Sequence, residues 1–107
     1  MRPLAAGAVF CVLLVATSAL AQTRSENRKA RQHFAAAEKL YAMSKFDEAL
    51  GAYEKAYAAA PLPAFLFNIG QCHHNLGHLE TAIFSFEKYL SLAPEAENRV
   101  AVENLGG

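Results

Sequence analysis

The chain has 107 residues, enough for at most one small domain, and its ten Lys+Arg offset ten Asp+Glu. A neutral chain without a basic stripe cannot displace counterions from phosphates, which argues against a nucleic-acid binder, and no polybasic patch for anionic lipids stands out. Two cysteines, Cys11 and Cys72, exclude a disulfide framework, because Cys11 falls in a segment expected to be removed.

Residues 1–21 read as a signal peptide. Arg2 supplies the positive start, Leu4 to Leu14 most of the apolar stretch, and Ala19-Leu20-Ala21 the small-residue cleavage pattern before Gln22. The alternative is a membrane anchor left uncleaved, since the uncharged run from Pro3 to Thr23 reaches the lower limit of a spanning helix. Cleavage leaves nine Lys+Arg against ten Asp+Glu and places the protein in a periplasm or outside the cell. Residues 22–29 then extend the first helix.

Four helices follow, at about 26–43, 46–60, 63–76 and 79–92, and a fifth is expected from Glu95 to about Leu105. Ala37, Leu40 and Tyr41 mark the first. Phe46, Ala49, Leu50, Tyr53, Ala56, Tyr57 and Ala60 recur at three- and four-residue spacing along the second. Leu66, Ile69, His73 and Leu76 mark the third, and Leu79, Ala82, Ile83, Phe86 and Leu90 the fourth. Pro61 and Pro94 stop helices because proline lacks an N–H and disfavours helix at the residue before it. Gly77 stands where a left-handed terminating residue is wanted. No segment alternates with period two long enough for a strand, and loops of two to four residues make neighbours antiparallel.

A repeat underlies this pattern. An offset of 33 residues aligns Lys45-Phe46-Asp47-Glu48-Ala49-Leu50 with His78-Leu79-Glu80-Thr81-Ala82-Ile83. It also pairs Ala37 with Gly70, Tyr53 with Phe86, Glu54-Lys55 with Glu87-Lys88, and Pro61 with Pro94. The physical reading is a helical hairpin in which Ala37 or Gly70 faces Ala49 or Ala82, so that two backbones approach closely while larger residues fill the seam.

These residues resemble the tetratricopeptide repeat (TPR) family, with one repeat over 30–62, a second over 63–95, and a partial capping helix over 96–107. The resemblance implies an all-α, TPR-like α-solenoid of helical hairpins, preceded by the signal peptide. Departures from the pattern are His33 at an aromatic position, Ser44 in place of a turn glycine, and Tyr89 at a small position, where it would splay the hairpin or pack on the fifth helix. Each repeat is one residue shorter than the usual 34.

Function, by the same resemblance, falls to the concave face of the first helix of each hairpin. Carried over by position, that face comprises Arg31, Phe34, Glu38, Tyr41 and Ala42, then Ala64, Phe67, Gln71, His74 and Asn75. Rings, amides and charges in this mixture suit an extended peptide or a helix from a protein partner, with packing against neighbouring helices as the competing role for Phe34 and Phe67. Phe34 and Glu38 stand where the carboxylate-clamp subtype needs lysine and asparagine, which argues against an acidic C-terminus as ligand. No catalytic residue, metal, cofactor, small-molecule substrate or nucleic acid is expected, and a metal or thiol protein using Cys72 and the nearby histidines is only a distant alternative. Consecutive residues of Cys72-His73-His74 diverge by about 100° around a helix, and Gly77 separates His74 from His78. Contact with a membrane would come only through an uncleaved signal segment. Two and a half repeats is short for a solenoid, so self-assembly as a homodimer through the last hairpin, or a place at the front of a longer protein, stand beside the scaffold reading.

Overall fold

A computed structural model describes residues 23–106; the expected signal peptide, with Cys11, lies outside them. Five helices account for most of the described residues, and no strand occurs among them: α1 (23–42), α2 (Phe46–Ala59), α3 (Pro63–Asn75), α4 (Leu79–Leu92) and α5 (Arg99–Gly106).

Two turns built to one plan join α1 to α2 and α3 to α4. The Ser44 N–H donates to Tyr41 O at 2.9 Å and the Lys45 N–H to Leu40 O at 2.9 Å. Thirty-three residues later, the Gly77 N–H donates to His74 O at 3.1 Å and the His78 N–H to His73 O at 2.8 Å. This paired pattern closes a helix through one left-handed residue: φ is +58° at Ser44 and +81° at Gly77. The links after α2 and α4 are set by proline instead. Ala60, Leu62 and Ala93 precede prolines and leave helical geometry, with ψ of 107°, 134° and 66°. Pro63 then opens α3 at a position where no N–H is required.

The apolar stripes meet in one seam. Ala37, Ala49, Tyr53, Ile69, Cys72 and Phe86 are buried there with Leu66, Ala82, Tyr89 and Val102, and α3 packs against both α2 and α4. A smaller cluster of Ala30, Ala56, Ala60 and Phe65 lies where the start of α1 crosses the α2–α3 link. Gly70 is closely approached, but what lies nearest it is the Phe86 ring, not the Ala82 expected from the repeat. A Cβ on Gly70 would stand 2.5 Å from that ring, and the three closest atoms all belong to it.

Two expectations need correction. Leu79 is exposed, because the first residue of α4 projects beyond the end of the seam. The last helix begins at Arg99, not Glu95: residues 93–98 form turns, closed by Ala96 N–H to Ala93 O at 3.1 Å and Arg99 N–H to Ala96 O at 3.2 Å. Tyr89 ties down this turn. Its hydroxyl donates to Asn98 Oδ1 at 2.7 Å, anchoring the chain just before α5, while its ring packs on Phe67 at 5.5 Å between centroids. The large residue at a small position thus fastens the end of the array.

Candidate protein-binding face

Helices α1 and α3, the first of each hairpin, carry all the face residues. Phe34 and Phe67 are held by the fold. Phe34 stacks on Tyr53 at 5.9 Å and Phe65 at 5.4 Å, and Phe67 stands against Phe86 at 5.9 Å as well as Tyr89. Both rings are half-buried, so each presents only part of its surface. Arg31, Glu38, His74 and Asn75 are exposed, as are Ala42 and Ala64, while Tyr41 and Gln71 are half-buried.

A polar chain crosses this face. Asn75 Nδ2 donates to the Tyr41 hydroxyl at 3.0 Å and to Gln71 O at 2.8 Å, linking α3 to α1 in the open. Tyr41 is steadied by an edge-on contact with Phe46, 5.1 Å away. Both amide protons of Asn75 are thereby used, which leaves its carbonyl oxygen as an acceptor and the Tyr41 hydroxyl its own proton to donate. Glu38 is tied from beneath, accepting a 2.6 Å hydrogen bond from the buried Tyr53 hydroxyl. Burial, then that carboxylate, pushes the Tyr53 pKa well above the ordinary phenol range, so Tyr53 remains a donor.

Sequence reasoning missed the upper end of the face. There Asn27, Ala30, Arg31 and Phe34 of α1 meet Ala60, Leu62 and Phe65 around a cleft of about 370 Å³. Beside it, Arg24, Asn27, Arg28 and Arg31 line a shallow polar depression. The spacing of the three arginines places them on one side of a helix, which corrects the expectation of no basic cluster. The signal was available in the sequence, hidden by a zero net charge.

The histidine–cysteine group is also resolved. Cys72 is fully buried, and burial followed by the Glu54 charge pushes its thiol pKa up to about 11, leaving it a small apolar side chain near neutral pH. His78 faces His73, Nδ1 to Nδ1 at 3.3 Å, not His74. These two flank the glycine turn, the same pair of positions that Leu40 and Lys45 occupy in the first hairpin. Among the described residues no group of three or more His, Cys, Asp or Glu converges as a metal site would.

Stacked antiparallel helical hairpins, repeated at 33 residues with matching turns, define an α-helical repeat protein. The family model for the tetratricopeptide repeat matches residues 63–95, so the chain carries a tetratricopeptide repeat. No curated protein matches the chain. Repeats of this family suggest a protein–protein interaction scaffold.

Proposed function

We propose that this is an exported, non-catalytic scaffold that holds an extended segment of another protein against α1 and α3. The observation that carries the reading is the Tyr41–Asn75 bridge. It spans the two helices at an exposed position, uses both Asn75 amide protons, and leaves one acceptor and one donor, the complement of a peptide's N–H and C=O. Glu38, Gln71 and His74 add polar groups along the same face, and the exposed parts of Phe34 and Phe67 add apolar area.

Affinity capture from envelope extract tests this, comparing the native chain with a Tyr41→Phe/Asn75→Ala variant. Both substitutions lie at the surface, and equal circular dichroism melts would show an intact fold. The variant is expected to lose the captured protein; recovery of the same protein by both would sink the assignment. Export has its own test. The mass of the protein recovered from the envelope is expected to begin at Gln22, and a chain retaining Met1 would replace cleavage with anchoring.

Self-association is the second reading, favoured by large apolar residues left exposed on α4 and α5. Phe84 is 67% exposed and Val100 68%, with Leu79 and Leu92 also in the open. Sedimentation across a hundredfold range of concentration decides it; a monomer throughout removes it.

A further inference from the structure

We propose that the α1 end of this face recognises a partner segment in which one large apolar side chain is flanked, within about three residues, by carboxylates. The proposal rests on the α1/α3 face being the binding face, and it names the partner's chemistry.

The cleft supplies the anchor site. Ala30, Ala60 and Phe65 form a buried floor, Phe34 gives a ring wall, and Leu62, 52% exposed, forms an apolar lip. Its volume of about 370 Å³ accommodates a Phe or Leu side chain together with neighbouring backbone. Arg31 and Asn27 belong to both the cleft and the adjoining depression, so an occupant of one lies beside the other.

The depression supplies the charge. From Arg24 to Arg31 the helix rises about 10 Å, the length of about three extended residues. Among the described residues the ion pair is Arg99 with Glu103, so no carboxylate there neutralises Arg24, Arg28 or Arg31. The chain's neutrality conceals a segregation: residues 23–40 hold five basic and two acidic residues, whereas 41–107 hold four basic and eight acidic. An apolar socket next to three unpaired guanidiniums fits an acidic peptide with a hydrophobic anchor better than an anionic bilayer, which would meet the arginines and leave a socket of side-chain size unfilled.

Fluorescence anisotropy of the purified chain with a labelled decapeptide tests the proposal. The probe carries one Phe followed by Asp-Glu-Asp in a Gly-Ser background. Control peptides replace the acids by Asn-Gln-Asn, or the Phe by Ser. Each control, and an Arg28→Gln/Arg31→Gln variant, is expected to bind roughly tenfold more weakly, and the native pair should weaken as salt rises. Equal affinity for acidic and neutral peptides, or no response to the arginine variant, overturns the proposal. So does binding to phosphatidylglycerol vesicles without binding to the peptide, which would make the stripe a lipid contact. Concentration-dependent dimerisation abolished by the arginine variant would make the occupant a second copy's acidic half and overturn it as well. Tyr41→Phe/Asn75→Ala separates the two readings. If the face assignment fails, that variant captures the usual partner; if only this inference fails, the arginine variant does.

Discussion

His73 occupies the turn position that Leu40 fills in the first hairpin, and the exchange has a consequence for acid stability. Burial first, then the neighbouring His78, lowers the His73 pKa, and the Glu54 carboxylate opposes them. A depressed pKa means that the folded protein resists protonation more than the unfolded chain does. The contribution is therefore complete above the unfolded value of about 6.5 and declines as pH falls from there toward the folded pKa. Thermal melts from pH 7.5 to 5 should show this loss, and His73→Leu should flatten part of the slope; parallel slopes in the two proteins would refute it. Ser44 offers a second test at this scale. Its φ of +58° costs a residue with a Cβ about 1 kcal/mol, whereas Gly77 meets the same demand in the equivalent turn without that cost. Glycine also loses more freedom on folding, so Ser44→Gly is expected to gain up to about 1 kcal/mol by urea titration. A loss of stability would contradict the turn geometry.

At the scale of the elements, two helical glycines separate local preference from packing. Gly51 is exposed on α2 with nothing within 4 Å of a new Cβ, whereas at Gly70 on α3 that atom would lie 2.5 Å from the Phe86 ring. Alanine improves helix propensity by about 1 kcal/mol at either site. Overpacking a buried contact costs about 1–3 kcal/mol, and Phe86 is only 2% exposed, with little room to withdraw. Gly51→Ala should therefore stabilise the fold by up to about 1 kcal/mol, and Gly70→Ala should destabilise it by about 1–2 kcal/mol. If both raise the melting temperature, α3 and α4 do not approach as described. For α2, α3 and α4 the helical pattern was readable beforehand, since each announces its buried side by three- and four-residue spacing and its ends by proline or a left-handed residue. Leu79 was misplaced because that spacing does not say where a seam ends.

For the whole molecule, the last question is what closes the array. α5 has eight residues, too few to persist alone. It is held by buried Val102, by the Tyr89–Asn98 hydrogen bond before it, and by Arg99, which donates to Pro94 O at 3.0 Å and pairs with Glu103 at 2.8 Å. Val102→Ala removes about 1.5 kcal/mol of burial. Amides of α5 should then exchange faster, while those of α3 and α4 keep most of their protection. Unchanged exchange in α5 would show that Val102 does not hold it.

Helix content, the 33-residue register, the left-handed turn at Gly77 and the family resemblance were legible in the sequence, because periodicity and turn chemistry suffice to read them; the same turn at Ser44 was not, since serine does not announce a positive φ. The tertiary structure decided the rest. It made Phe34 and Phe67 half-buried packing residues, paired His78 with His73, tied Tyr89 to Asn98 ahead of α5, and set an apolar cleft beside three arginines. Each of these depends on how one helix is rotated and crossed against another, and spacing within a single helix carries no record of that.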